Sequence, residues 1–230
     1  MPASRRKAYI GWGMEGWIAR WYNRTRGADL EDFRRQAQAV AGQLHGGAKV
    51  LEVAPGPGFF SVELARLGDF QITGLDISQA FVEIATSHAR SAGVQVDFRL
   101  GNAAAMPFAS ESFDFVYCSA AFKNFSEPVQ ALNEMHRVLR PGGQAVIVDL
   151  RKDVSLDDID AYLKRSGRRG FDAWLSSWAF RGMLIKRTYT LDALRSLAQQ
   201  SQFGACQIEL DQLSFEAKFL KPADAAVRVG

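Results

Sequence analysis

From Lys49 to Ser61 the chain reads Lys-Val-Leu-Glu-Val-Ala-Pro-Gly-Pro-Gly-Phe-Phe-Ser, and this stretch limits the fold more than any other. It opens as a short apolar run with β-branched Val50 and Val53, the pattern of a strand buried on both faces. Pro55, Gly56, Pro57 and Gly58 then break the run, and a helical pattern starts at Phe59. A strand, a tight Gly-rich turn and a helix make the front half of a nucleotide-binding unit. Glycine lets the backbone approach a ligand because no Cβ intervenes. The helix start brings free N–H groups and a positive dipole end to the same point.

The chain on either side continues the alternation. Asp29 is the expected N-cap of a helix to about Leu44, with Phe33, Ala37, Val40, Ala41 and Leu44 on one stripe. Strands are predicted at 50–54, 70–75, 94–100, 113–118 and 144–150. Between them come helices over 59–67, from Ser78 through Ala92, and from Ser126 and Pro128 to Arg140, where Pro141-Gly142-Gly143 stops the last. Strands separated by helices require a parallel sheet with right-handed crossovers and both faces covered. After Leu150 the pattern turns helical, from Ser155 to about Lys164, from Phe171 to about Met183, and from a Thr190 cap to about Gln200. Two closing strands, 205–211 and 214–219, are joined so tightly that they must be antiparallel neighbours.

At 230 residues and 47% hydrophobic, the chain is expected to form one domain over 1–230. Within it, 1–27 is expected to be an aromatic flap and 151–188 a helical lid. The five tryptophans lie only there, at 12, 17, 21, 174 and 178. They pack on one another, cover the carboxyl ends of the strands, or do both; in open α/β sheets those ends bind ligands. No run is long and apolar enough to span a membrane, and no signal-peptide core follows the basic start. Cys118 and Cys206 fit neither a disulfide framework nor a metal pattern. A cytoplasmic protein without a metal is expected. A net charge of +3 and a pI near 8.9 are too mild to argue for nucleic acid.

Candidate site residues fall where successive strands end. Glu52 and the Gly56/Gly58 turn follow the first strand, Asp76 ends the second, Asn102 follows the third, and Cys118 and Ser119 end the fourth. An acid about 20 residues after a Gly-rich turn suits the hydroxyls of a ribose. The Asn102 amide can both accept from and donate to an adenine edge. The turn lacks the third glycine of the dinucleotide fingerprint, and acidic Glu52 is a poor companion for a pyrophosphate. A carboxylate there suits a cation, so a nucleoside joined to an amino acid fits better than NAD.

With these features the chain resembles the class I S-adenosylmethionine-dependent methyltransferases, in particular the small-molecule branch that includes the ubiquinone/menaquinone type. The resemblance is carried by Val50-Leu51-Glu52-Val53-Ala54-Pro55-Gly56-Pro57-Gly58, Gly74-Leu75-Asp76-Ile77-Ser78, Gly101-Asn102-Ala103-Ala104-Ala105-Met106-Pro107-Phe108, Ser112-Phe113-Asp114-Phe115-Val116, and Glu134 through Gly143. It covers about Val50 to Leu150. Ala54 stands where the family has glycine, and Asn102 where it has aspartate. The resemblance implies a Rossmann-like α/β fold with a seven-stranded, mostly parallel sheet in order 3-2-1-4-5-7-6 and strand seven antiparallel. It implies S-adenosyl-L-methionine as cofactor, held by Glu52, Ala54, Gly56, Gly58, Asp76, Ile77, Asn102, Ala103 and Ser119, with its methyl near Ser119 and Phe122.

Methyl transfer from a sulfonium is an in-line displacement that needs alignment and desolvation more than acid–base help. His45, His88 and His136 are expected on helices away from the strand ends. The candidate acid–base groups are Asp149 and Lys123, with Asp149 more readily paired to Arg151 or Lys152. Trp21, Tyr22, Phe122, Asn124, Arg151, Trp174 and Trp178 are the expected contacts of a small apolar or aromatic acceptor. A homodimer is compatible with the sequence. Two alternatives stand: a non-methylating scaffold or cyclase on the same fold, and, with less support, an RNA methyltransferase.

Overall fold

The computed structural model describes residues 16, 19, 30–154, 188–211 and 213–223. Trp21, Tyr22, Trp174, Trp178, the Asp29 cap and nearly all of the expected flap and lid lie outside the described residues.

Helix α1 (Leu30–Ala41) carries Glu31 and Asp32 in its first turn, where the dipole favours acids, and buries Ala37 and Val40. It feeds β1 (Lys49–Val53), followed by α2 (Phe59–Ala65), β2 (Gln71–Asp76), α3 (Gln79–Ala92), β3 (Asp97–Leu100) and β4 (Phe113–Ser119). Next come α4 (Pro128–Val138), β5 (Leu139–Leu150), α5 (Leu191–Gln200), β6 (Gln207–Leu210) and β7 (Ser214–Leu220). The seven strands form one sheet in order β3-β2-β1-β4-β5-β7-β6. β7 is antiparallel to both of its neighbours, and the pairings among β1 to β5 are parallel.

Expected caps hold the helices. Ser78 Oγ accepts the Phe81 N–H at 3.2 Å, Thr190 Oγ1 accepts that of Ala193 at 3.2 Å, and Gly93 ends α3 in the left-handed region. The core has two layers. On one face of the sheet, Val40, Phe60 and Leu64 of α1 and α2 meet Val50, Phe115, Tyr117 and Val146, with Phe60 stacked on Tyr117 at 4.1 Å. On the other, Leu132 and Met135 of α4 and Leu194 of α5 meet Leu51, Val116, Ile147, Phe215 and Phe219. β3 at the sheet edge is mostly exposed.

Several boundaries differ from the sequence expectation: β3 starts at Asp97 and β6 at Gln207, each later than the apolar pattern begins, and two further shifts have clear causes. α1 ends at Ala41, and the next residues fold into turns, so His45 sits in a loop. α4 ends at Val138, and Leu139 already pairs with Phe113. Pro141-Gly142-Gly143 therefore lies inside β5. The register shifts beside it, between Phe113 and Phe115, which accommodates a proline that cannot donate. Gly142 N–H and Gly143 C=O pair with Lys221 across the sheet, at 3.0 and 2.9 Å.

Candidate active site

The parallel strands bring their carboxyl ends to one edge, and most of the candidates from the sequence meet there. Leu75 C=O of β2 accepts the Ala54 N–H at 2.8 Å. The turn after β1 then runs through three left-handed residues, Ala54 (φ 57), Gly56 (φ 55) and Gly58 (φ 78). Alanine in that region costs on the order of 1 kcal/mol, so position 54 retains a backbone shape better suited to glycine.

The two glycines have different roles. A Cβ on Gly56 would meet nothing within 4 Å, which leaves the turn open above it. A Cβ on Gly58 would lie 2.7 Å from Phe98 Cζ and 2.8 Å from Ala85 Cβ, so this glycine admits the close packing of α2 against α3 and β3. Gly58→Ala is expected to lower the unfolding free energy by about 2–4 kcal/mol through overpacking and left-handed strain. Gly56→Ala should cost about 1–2 kcal/mol, with its larger effect on ligand affinity; urea unfolding and titration calorimetry separate the two.

Asp76 ties the strand ends together. Its Oδ2 accepts the Gly56 N–H and its Oδ1 the Ser78 N–H, both at 2.9 Å. Its carbonyl accepts the Gly101 N–H at 2.8 Å. These bonds orient the carboxylate, whose oxygens each carry two lone pairs. Ile77 beside it is 44% exposed and Leu100, its neighbour at the end of β3, is 53% exposed. Both are large apolar side chains left at the mouth of the site. Asn102 is half-buried, and its Oδ1 accepts the Ala104 N–H at 2.9 Å in a local turn that includes Ala103.

Glu52 lies behind the turn, 4% exposed, opposite Tyr117 of β4 in register. Ser61 Oγ of α2 donates to its Oε2. Burial pushes its pKa from 4.5 up to about 7, the Ser61 hydroxyl and amide oppose the rise, and Asp76 adds to it. Sequence reasoning missed Ser61; a serine inside an otherwise apolar helix turn is the signal that could have found it.

At the β4 end, Ser119 is half-buried, and Ala120 follows at φ 57. Phe122 is fully buried against Phe125 and Tyr189, with centroids at 5.5 and 5.6 Å, so it belongs to the core among the described residues. Asn124 is half-buried at the end of the same short 3-10 helix, Phe122–Asn124. Asp149 pairs with Lys123, not with Arg151 or Lys152 as expected: Lys123 Nζ donates to Oδ1 at 2.7 Å, and the Lys123 N–H to Oδ2 at 3.0 Å. Both side chains are buried, at 3% and 1% exposure. Arg151 instead joins Asp153 and the Asp211 carbonyl. His88 also departs from expectation. Its Nδ1 sits 2.9 Å from the Pro57 carbonyl and its ring stacks on Phe59 at 4.9 Å, so it buttresses the turn. A groove of about 900 Å³ lined by Lys49, Gln71, Arg90 and Arg99 opens at the amino-terminal ends of β1 and β2 and contains none of the candidates.

Residues 51–147 match the family model described as "Methyltransferase domain". Over 128 residues the chain is 34% identical to the demethylmenaquinone methyltransferase of Deinococcus radiodurans, covering 55% of this chain and 53% of that one. It thus spans about half the length of that relative. A putative S-adenosyl-L-methionine-dependent methyltransferase from Methanococcus maripaludis superposes with a TM-score of 0.72 over 99% of both chains, at 18% identity. The [4+2]-cyclase SpnF superposes at 0.56 over 83% of this chain and 81% of that one, at 23% identity. At such identities the likeness speaks for the fold. The matched stretch makes residues 51–147 similar to a methyltransferase domain, and the strand order 3-2-1-4-5-7-6 with the turn after β1 is the fold that these structures share.

Proposed function

We propose that this chain moves a methyl group from S-adenosylmethionine to a small apolar acceptor. The observation that carries the reading is the link between Asp76 Oδ2 and the Gly56 N–H, which sets an acid against an open Gly turn with a buried carboxyl, Glu52, behind them. Asp76 would take the ribose, and Ile77 with Leu100 offers an apolar face to a base. Asn102 and Ala103 would line the base edge. Glu52, Ala54 and Gly56 would surround the charged amino-acid end, with Ser119 at the methyl. Gly58 and Phe122 support these from within the packing. The name of the Deinococcus relative favours a quinone-like acceptor. Arg151 and Asn124 remain the described side chains proposed to face it.

When bound, S-adenosylmethionine supplies an already activated methyl on a sulfonium. The chain's residues have to bind it, hold it in line and exclude water. Asp149 and Lys123 neutralise each other, so we assign them a scaffold role and no proton transfer.

Titration calorimetry with S-adenosylmethionine and NADH tests this directly. The reading expects binding of the first only, and turnover to S-adenosylhomocysteine with demethylmenaquinone-like acceptors; no binding at millimolar concentration would overturn it. Binding without turnover on a panel of phenols, amines, thiols and quinols would favour the scaffold or cyclase alternative. Asp76→Ala should weaken binding by about 1–3 kcal/mol, the cost of losing charged hydrogen bonds. Asp76→Asn, which keeps one acceptor for the Gly56 amide, should fall in between. Unchanged affinity in both would remove Asp76 from the site.

A further inference from the structure

The loop Gly101–Phe108 carries Asn102 and Ala103 but belongs to no helix or strand beyond one isolated bridge between Asn102 and Ala105. Its front end is tied to the Asp76 carbonyl through the Gly101 N–H. Its rear end is held by two side chains of α4, 28 to 31 residues further along the chain. Glu134 Oε2 accepts the Met106 N–H at 2.7 Å. Arg137 Nη1 donates to the Phe108 carbonyl at 2.8 Å, and Nη2 to the Met106 carbonyl at 3.1 Å.

The same two side chains also grip each other. Arg137 Nε and Nη2 donate to the two Glu134 oxygens at 2.7 and 2.8 Å. A bidentate ion pair fixes the plane of the guanidinium, so its remaining N–H groups point where the two carbonyls lie. Glu134 is 12% and Arg137 32% exposed in their side chains, which limits competition from water. Met106 is buried, and Phe108 packs edge-on against Phe113 at 5.1 Å, so the loop's rear has little freedom left. A helix needs none of this to pack on the sheet; Leu132, Met135 and Val138 already do that.

We infer that Glu134 and Arg137 are positioning residues: together they latch the loop Gly101–Phe108 in the shape that presents Asn102 and Ala103 to the adenine of the cofactor. This rests on the proposed function. The residues would touch no ligand; they act through the backbone of Met106 and Phe108.

The test uses the full chain and three proteins: unmodified, Arg137→Lys and Glu134→Gln. A lysine keeps the charge but cannot bridge two carbonyls and a carboxylate at once. The probes are S-adenosylhomocysteine and S-inosylhomocysteine, which differ only at the adenine amino position and its ring neighbour. The unmodified chain is expected to prefer the adenine form, and Arg137→Lys to lose about tenfold in its affinity. The preference itself should shrink in both variants, with KM for S-adenosylmethionine raised and kcat within about twofold. A lowered urea midpoint with the adenine preference intact would make the pair a structural staple and overturn the inference. Equal affinity of the unmodified chain for both probes would also overturn it, while leaving the methyl-transfer reading intact. No binding of either probe to the unmodified chain overturns both.

Discussion

Asp149→Ala is expected to lower the unfolding free energy by about 3–5 kcal/mol, the usual cost of stranding one member of a buried ion pair. Lys123 Nζ would retain only the Ala120 carbonyl, 2.6 Å away, at a position with 3% of its side chain exposed. Two amides would lose their acceptor as well: Lys123 N–H at 3.0 Å and Leu150 N–H at 2.8 Å. Water cannot reach in to replace these partners, so the penalty is not screened away as it is at the surface. Asp149→Asn should cost less, since it keeps an acceptor for one amide, but the ammonium stays unpaired. The double substitution Lys123→Met/Asp149→Leu should recover most of the loss, because well-packed apolar groups are as stable as a buried pair. Urea unfolding of the single and double variants checks this. A loss below about 1 kcal/mol in Asp149→Ala would mean that the pair behaves as a solvated one. Turnover should stay depressed in the double variant even where stability returns, because the loop from Ala120 to Phe125 has lost what pins it beside β5.

That pair shows where sequence reading stops. The strand ends could be read because each is local: an apolar run, then Gly, Asp or Asn. Asp76 and the Gly56 turn emerge together for the same reason, since the βαβ repeat brings consecutive strands side by side. Lys123 and Asp149 are 26 residues apart, on a short 3-10 helix and a strand whose meeting depends on how β5 docks on β4. No periodicity records which cation an acid will meet, so the neighbours Arg151 and Lys152 were the natural expectation. Glu134 and Arg137 read as part of a helix-turn because their spacing is helical; their grip on Met106 and Phe108 exists only once α4 lies under the loop. The strand order came from family resemblance and agrees with the observed sheet. The boundary at Leu139 was illegible because Pro-Gly-Gly normally ends elements, and here Lys221 on the neighbouring chain segment recruits it into the sheet.

Glu52→Gln is expected to make the protein more stable and worse at holding its cofactor. With its carboxyl raised from 4.5 to about 7, Glu52 favours the folded state only while protonated. Its contribution is whole below about pH 4.5, declines as pH rises toward 7, and is gone above that. The decline amounts to about 3 kcal/mol, at about 1.36 kcal/mol for each tenfold change in proton affinity. The glutamine variant removes this decline, because a buried amide has no charge to desolvate. It should therefore be more stable than the unmodified chain at pH 8 by on the order of 2 kcal/mol and nearly equal at pH 4.5. Ser61 can still donate to the amide oxygen. The groups facing Glu52 are Asp76, whose charge raises its pKa further, and Tyr117, held protonated by burial throughout this range. Neither reverses the trend. A cation bound near Glu52 draws its proton off, so affinity for S-adenosylmethionine should rise by up to tenfold per pH unit between about 5 and 7, then level. In Glu52→Gln that slope should vanish. Calorimetric titration in two buffers of different ionisation enthalpy reads the same event directly: the unmodified chain should release up to about one proton on binding at pH 6, and Glu52→Gln close to none. Equal proton release by the two proteins would mean that the buried carboxyl stays protonated when the cofactor is bound, and that the charge which recognises the cation lies elsewhere.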